Sequence, residues 1–195
     1  MALSNSFFAT SPIISTVIQR LNSKSVIRCK IDGSGSYPDW WYTMEYNDFR
    51  DKLNESPELS GLDDTLASGL FWRCEERTLS EGAVIYQEGA PLDFTFGLLV
   101  SGDLIVEKGG SILCGICEHQ VFGEMAYFTN ERTRTATIRV GSPQAVVLKF
   151  TLTSEELRSA AFSTLRTALE LETWDRFVNT SQSGREYPES INHWT

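Results

Sequence analysis

The sequence predicts a mainly β fold with flanking helices, a jelly roll or sandwich of about seven to eight short strands. Short runs of apolar, β-branched and aromatic residues alternate with glycine turns between Glu76 and Phe150. Apolar residues at helical spacing lie on both sides of this region. A chain of 195 residues, 41% of them hydrophobic, can bury an ordinary core without disulfides or metal ions.

Each predicted strand is short and ends at a turn signal, such as Gly89-Ala90-Pro91 or Gly141-Ser142-Pro143. Strands of this length cannot cover a core alone, so helices must cap the roll. The predicted strands are 77–79, 83–87, 94–100, 104–107, 112–117, 134–140 and 145–150.

Helices are predicted before and after the strands. Apolar spacing favours helices over 42–53 and 65–75, with a break between them. After the last strand, Thr153 and Glu156 form a capping-box pattern that begins a helix over 154–178, in which an internal break stays open.

Composition excludes several classes of function. The net charge of −9 argues against non-specific binding to nucleic acid or anionic membrane. No apolar run approaches the length of a membrane span. Four cysteines without a secretory signal indicate a reducing compartment, and His119 and His193, the two histidines, leave little histidine chemistry.

Residues 1–30 differ in charge from the rest. They carry four basic and no acidic side chains, whereas the other residues hold thirteen basic and 26 acidic ones, a net charge of −13. A serine-rich, acid-free, basic amino terminus predicts an organelle transit peptide, and Ile27-Arg28-Cys29 resembles a plastid processing pattern. The predicted location is a chloroplast or other plastid. The alternative is a flexible amino terminus on a cytoplasmic protein.

Three further segments complete the predicted organisation. Residues 31–69 form a linker, marked by Gly33 to Pro38, and an amino-terminal helical segment with Trp40 and Trp41. Residues 70–178 form the main domain. Residues 179–195 are a polar tail.

One segment carries binding chemistry. Between two predicted strands, Gly123 leads into a very short helix with Glu124 at its start, and Arg134 heads the next strand. Small residues let backbone N–H groups approach a ligand, and an arginine binds two phosphate oxygens in one plane. A carboxylate accepts hydrogen bonds, as from a ribose hydroxyl. The combination suits a phosphorylated sugar that has one free hydroxyl.

The segment FGEMAYFTNERTRTATI resembles the phosphate-binding cassette of cyclic nucleotide-binding domains, and EGAPLDFTFGLLVSGDLIVEKGG resembles the first strands of that family. The similarity spans roughly 70–178. It departs at Thr133, where many members have proline, and at Glu118-His119-Gln120, where glycine is common.

This resemblance implies a role for each matching residue. Glu124 would bind the ribose 2′-hydroxyl, and Arg134 the cyclic phosphate. The helix after Phe150 would form a mobile lid, with Trp174 or Phe177 as candidate covers over the base. The implied ligand-binding set is Phe122, Gly123, Glu124, Met125, Ala126, Arg134, Thr135 and Ala136.

Other kinds of functional site have less support in the sequence. Cys114 and Cys117, three apart on a strand, point to opposite faces and do not predict a metal site. The two histidines lie too far apart for a cupin-type metal enzyme. Nothing after Val178 resembles a DNA-binding helix-turn-helix. We therefore expect no enzyme, no metal ion, no cofactor and no nucleic-acid partner.

The leading hypothesis is a stand-alone regulatory module that binds cAMP or cGMP and relays movement of its carboxy-terminal helix to an unidentified protein partner. Thr135 predicts that cGMP binds at least as well as cAMP, because its hydroxyl can accept from the guanine amine. The alternative is a protein-interaction module that keeps the roll and docks through the helix near Trp40 and Trp41.

Overall fold

The structure is a computed structural model that describes the backbone of Gln19–Leu21, Lys24–Val26 and residues 44–182, and the side chains of 44–178. The chain divides into two compact units, Met1–Arg50 and Asp51–Thr195. Each unit is described separately.

The first unit contains a two-stranded antiparallel ladder. Strand β1 (Gln19–Leu21) pairs with β2 (Lys24–Val26). The ladder lies in the segment predicted as a transit peptide or flexible terminus, and the plastid location stays a prediction. Helix α1 (Tyr46–Glu55) begins in this unit. The predicted linker and Trp40 and Trp41 lie outside the described residues.

The second unit contains two four-stranded antiparallel sheets, which confirms the predicted fold class. One sheet has the order β3-β10-β5-β8 and the other β4-β9-β6-β7. The strands are β3 (Cys74–Ser80), β4 (Val84–Tyr86), β5 (Thr95–Ser101), β6 (Leu104–Lys108), β7 (Ser111–Ile116), β8 (Val121–Phe122), β9 (Thr137–Val140) and β10 (Gln144–Thr151).

The core of the roll is an apolar cluster to which both sheets contribute. Burial of such side chains is the main force that holds the roll closed. Phe122 is 0% exposed and lies against Gly97, where an added Cβ would come within 2.2 Å of its ring. The buried cluster comprises Tyr86, Leu99, Leu104, Ile116, Phe122, Ile138, Val140, Ala145 and Val147.

The first helix of the second unit ends earlier than predicted. Helix α2 (Asp64–Phe71) is capped by the Asp63 side chain, which accepts from the Leu66 N–H. The prediction of helix to residue 75 was wrong, because Cys74 begins β3 and pairs with Phe150 of β10. Pairing with a strand distant in sequence outweighs local helix propensity here.

The carboxy-terminal helix contains the break that the sequence left open. Helix α3 (Ser154–Arg158) starts at the predicted capping box of Thr153 and Glu156. Ser159 is extended, and a 3₁₀ helix (Ala160–Phe162) then leads into α4 (Ser163–Gln182). Helix α4 thus continues beyond the predicted end at Val178. Within the described ranges, no helix combines the length and apolar character needed to cross a membrane.

Candidate functional site

The segment predicted to bind a ligand forms a tight turn at the end of β8. Gly123 has φ +79°, in the left-handed region that favours glycine, and the chain then enters a 3₁₀ helix (Glu124–Tyr127). Tyr86 packs directly against the turn, because a Cβ on Gly123 would lie 2.4 Å from its ring. The predicted glycine-led turn into a very short helix is therefore present.

The backbone of Arg134 is fixed by the turn that follows β4. Its N–H donates to the Ala90 carbonyl at 2.8 Å, and its carbonyl accepts from the Gly89 N–H at 2.8 Å. Because of these bonds, Arg134 lies in a loop before β9 (Thr137–Val140). The sequence prediction that Arg134 heads a strand was therefore wrong. The loop nevertheless holds the arginine beside the 3₁₀ helix.

The guanidinium of Arg134 is buried and held by four acceptors. Nη2 donates to the Asp93 carboxylate and, at 2.9 Å each, to the carbonyl and hydroxyl oxygens of Thr95. Nη1 donates to the Gly123 carbonyl at 2.8 Å. Among the described contacts, the Nε hydrogen and the second Nη1 hydrogen stay available. Both lie in the guanidinium plane, but they point to opposite sides of it, so each can donate to an anion oxygen singly.

The Glu124 carboxylate is paired with the last helix. Its side chain is 0% exposed, and Oε1 accepts from Nη1 of Arg176 on α4 at 2.8 Å. Arg176 also donates to the Val121 carbonyl at 2.6 Å and to Glu172 at 2.7 Å. Oε2 of Glu124 is buried and has no hydrogen-bond partner among the described residues. A buried acceptor without a donor suits a ligand hydroxyl.

The two carboxyl groups of the site have opposite pKa shifts. Burial raises the pKa of Glu124 above its usual value, although Arg176 opposes the shift. Burial also acts to raise the pKa of Asp93, but hydrogen bonds from Thr95 and Arg134 outweigh it, so that pKa lies below its usual value. Asp93 thus stays ionised beside Arg134 and Lys149, while Glu124 is the carboxyl whose ionisation is costly.

A cavity of about 550 Å³ joins these groups, and it is large enough for a small ligand. Seven of the eight predicted ligand-binding residues line it. They are Gly123, Glu124, Met125, Ala126, Arg134, Thr135 and Ala136. Strand β7 contributes Leu113, Cys114, Gly115 and Ile116 to the wall, and α4 contributes Glu172, Asp175 and Arg176.

Three predicted residues lie away from the cavity wall. Phe122, placed in the ligand-binding set by resemblance, packs instead in the core between the sheets. Trp174 and Phe177, the candidate lid residues, stack on each other at 5.9 Å between ring centroids. Trp174 is 47% exposed. Their role as a cover over the base stays a prediction, since the described cavity lining contains neither of them.

Sequence reasoning missed two residues of the site, Tyr86 and Arg176. Tyr86 lines the cavity and lies under Arg134. Arg176 belongs to a predicted helix, but no spacing signal separates it from a solvent-exposed arginine. The acidic residue one turn earlier, Glu172, was a weak indication of an anchored arginine.

A metal site is not apparent at this cavity. Cys114 and Cys117 are free thiols. Among the described residues, no group of three or more histidine, cysteine, aspartate and glutamate side chains could hold a metal ion.

Comparison of the sequence with models of known families finds a match that includes this site. Residues 76–158 match the family model of the cyclic nucleotide-binding domain. Over these residues the chain is similar to members of that family. The match runs from within β3 to the end of α3 and contains the residues of the cassette, which confirms the resemblance. No curated protein matches the chain.

Solved structures of regulatory and sensor domains share the fold. A cAMP-bound PfPKA-R fragment superposes with a TM-score of 0.61, 18% identity, and coverage of 72% of this chain and 48% of that chain. The sensor domain of the transcriptional regulator DNR from Pseudomonas aeruginosa superposes with a TM-score of 0.54 and 22% identity, and the match covers 65% of this chain and 91% of that chain. The regulatory subunit of a cAMP-independent protein kinase A from Trypanosoma cruzi, bound to guanosine, superposes with a TM-score of 0.54 and 17% identity. That match covers 68% of this chain and 45% of that chain. The chain thus spans about half the length of the two kinase-subunit chains.

The raised pKa of Glu124 leads to a prediction about stability and pH. In the folded domain this carboxyl keeps its proton at pH values where the unfolded chain has lost it. Its contribution to the free energy of unfolding is therefore greatest below its ordinary pKa of about 4.5 and falls as pH rises through the folded pKa. Glu124→Gln removes this dependence.

Urea unfolding of wild type and Glu124→Gln between pH 7.5 and 4.5 checks this. We expect wild type to gain stability relative to the variant as pH falls. The lowered pKa of Asp93 acts in the opposite direction, but equally in both proteins. A difference that does not change with pH would contradict the buried carboxyl.

Proposed function

We propose that the domain binds a 3′,5′-cyclic nucleotide, cAMP or cGMP, and acts as a regulatory module and not as an enzyme. One observation carries the proposal: a single cavity joins an arginine that has available N–H donors to a buried carboxylate oxygen that lacks a donor. A cyclic phosphate beside a free ribose 2′-hydroxyl supplies two acceptor oxygens and one donor in a single small molecule.

Of the two ligand groups, the cyclic phosphate and the ribose hydroxyl, the phosphate is the one that needs positive charge in the site. Arg134 and Lys149 both lie near Asp93, so two positive charges face one negative charge at this end of the site. A neutral nucleoside, such as the guanosine bound by the Trypanosoma cruzi subunit, would leave the available N–H donors of Arg134 without an acceptor. We therefore expect a cyclic nucleotide to bind more tightly than its nucleoside.

Ligand binding is coupled to α4 in this proposal. Arg176 pairs with Oε1 of the Glu124 side chain, which is 0% exposed, so we expect Arg176 to shift when a ribose hydroxyl binds Glu124. Arg176 belongs to α4, which also packs on the 3₁₀ helix of the cassette. Movement of α4 would then carry the signal to a protein partner.

Calorimetric titration with cAMP, cGMP and guanosine tests the function, together with melting temperature at rising ligand concentration. We expect a cyclic nucleotide to bind and to raise the melting temperature, and Glu124→Gln to weaken binding. Glu170→Gln, on an exposed position of α4 outside the cavity lining, is the control and should bind like wild type.

The coupling to α4 has its own measurement. Hydrogen exchange of the α4 amides should change when the nucleotide is added to wild type. Unchanged exchange on binding would contradict the relay but not the binding itself.

Failure of all three ligands to bind would favour the second candidate function, a protein-interaction module that keeps the roll. Its proposed docking surface includes Trp40 and Trp41, outside the described residues.

The choice of base gives a further prediction. Thr135 lines the cavity next to Arg134, where its hydroxyl can accept from the exocyclic amine of guanine. Thr135→Ala should weaken cGMP binding about two- to tenfold, the worth of one hydrogen bond, and leave cAMP binding unchanged. Competition between the two nucleotides in both proteins checks this, and an equal affinity ratio would remove Thr135 from base selection.

A further inference from the structure

The ring of Tyr86 forms the floor beneath the arginine of the site. The Cζ atom of Arg134 lies 3.5 Å from the ring centroid, and Tyr86 is 4% exposed. A guanidinium stacks on an aromatic face through its own flat face. The ring therefore fixes the plane of the guanidinium and leaves the edges of that plane to hydrogen bonding.

The hydroxyl of Tyr86 has a definite direction in the network. Thr95 Oγ1 donates its one hydrogen to Asp93 at 2.9 Å and accepts from Nη2 of Arg134 at 2.9 Å. Thr95 Oγ1 lies 3.1 Å from the Tyr86 hydroxyl and has only a lone pair left for it. The Tyr86 hydroxyl is therefore the donor. Burial raises the pKa of Tyr86 to about 12, so this proton is present at neutral pH.

The same ring also limits the turn on the other side of the arginine. An added Cβ on Gly123 would lie 2.4 Å from the Tyr86 ring, so the glycine and the ring are in direct apposition. The Gly123 carbonyl accepts from Nη1 of Arg134 at 2.8 Å. Tyr86 thus contacts the guanidinium, the hydroxyl that accepts from Nη2 and the turn that accepts from Nη1.

We infer that Tyr86 is the positioning residue for the anion-binding arginine: its ring sets the plane of the Arg134 guanidinium, and so the plane in which the available N–H groups donate to the phosphate. The inference rests on the proposed function. It assigns to Tyr86 an action through Arg134 and not an independent contact with the nucleotide.

A double-mutant cycle in the full chain, with affinity for cAMP and cGMP as the readout, tests this. Tyr86→Leu should weaken binding about tenfold, because the flat face under the guanidinium is lost. Tyr86→Phe keeps the ring and should stay within about threefold of wild type. In the Arg134→Lys background, Tyr86→Leu should have almost no further effect, because an ammonium has no plane to set.

A separate variant controls for loss of stability as the cause of weaker binding. Phe71→Leu also replaces a buried aromatic residue, 1% exposed, outside the cavity lining, and should lower stability without changing affinity. If Tyr86→Leu does not fold, Tyr86→Met fills more of the same volume without an aromatic face and takes its place.

Each outcome decides one statement. Equal losses from Tyr86→Leu in the wild-type and Arg134→Lys backgrounds overturn the positioning role, as does unchanged affinity in Tyr86→Leu. If wild type binds neither nucleotide, the proposed function fails first and the inference fails with it.

Discussion

Arg134→Lys should weaken cyclic nucleotide binding at least tenfold. Lysine keeps the positive charge but presents it as a point, so it cannot reproduce the N–H donors that arginine holds in a fixed plane. Loss of one charge-assisted hydrogen bond costs about 1.5–3 kcal/mol, which corresponds to roughly ten- to hundredfold in affinity. Titration of both proteins with cAMP and cGMP measures the effect.

The same substitution should also lower the stability of the ligand-free domain. Arg134 is 4% exposed and donates to acceptors on Asp93, Thr95 and Gly123. A lysine cannot reach all of them, and each buried acceptor left without a donor costs about 1–3 kcal/mol. We expect the free energy of unfolding to fall by about 2–4 kcal/mol.

Arg139→Lys is the matched control for both effects. Arg139 lies on β9, pairs with Glu107 near the surface and is outside the cavity lining. Its replacement should change stability by less than about 0.5 kcal/mol and leave affinity unchanged. Equal behaviour of the two lysine variants would show that Arg134 neither binds the ligand nor holds the loop.

The strands of the roll were predictable because each is an apolar run closed by a turn. Gly102 and Gly110 adopt positive φ at two of these turns, which glycine does at low cost. Strand β8 escaped prediction because Val121–Phe122 is too short to show a period of two. Its existence depends on pairing with β5, which is distant in sequence.

The residues proposed to bind the ligand stand out in the sequence, but the contacts that hold them in place do not. Glu124 and Arg134 stand out by residue type and by their resemblance to the cassette. The groups that hold them come from elsewhere in the chain: Tyr86 from β4, Asp93 from the following loop and Arg176 from α4. Contacts of this kind depend on how the sheets and helix close, and local periodicity does not encode them.

Phe122 and Arg134 show the same limit in two ways. Phe122 is adjacent to the cassette in sequence, yet its side chain lies in the core, while Gly123, in the turn after β8, lines the cavity. Arg134 precedes β-forming residues, yet its backbone bonds to Gly89 and Ala90 and not to a neighbouring strand. The position of a residue in the motif therefore does not predict which neighbours its side chain and backbone contact.

Gly123→Ala should strongly destabilise the domain. At φ +79° any Cβ is strained, at roughly 1–2 kcal/mol. The new methyl would also lie 2.4 Å from Cε2 of Tyr86, and overpacking of this kind costs about 1–3 kcal/mol more. We expect the free energy of unfolding to fall by about 2–5 kcal/mol.

Gly82→Ala separates the two causes. Gly82 has nearly the same backbone angle, φ +77°, but a Cβ there would meet nothing within 4 Å. It should therefore lose only the backbone part, about 1–2 kcal/mol, in the same urea unfolding experiment. Equal losses at Gly123 and Gly82 would contradict the contact between the turn and the tyrosine ring.

The double variant Gly123→Ala/Tyr86→Leu then tests whether the ring is the obstacle. Shortening Tyr86 gives the new methyl room, so the double variant should be less destabilised than the two single losses added together, by about 1–3 kcal/mol. Binding should not recover with stability, because the arginine has lost the ring beneath it. Simple additivity of the two losses would place the cost of Gly123→Ala in the backbone alone, and recovery of affinity would show that the ring is not needed to hold Arg134 for the phosphate.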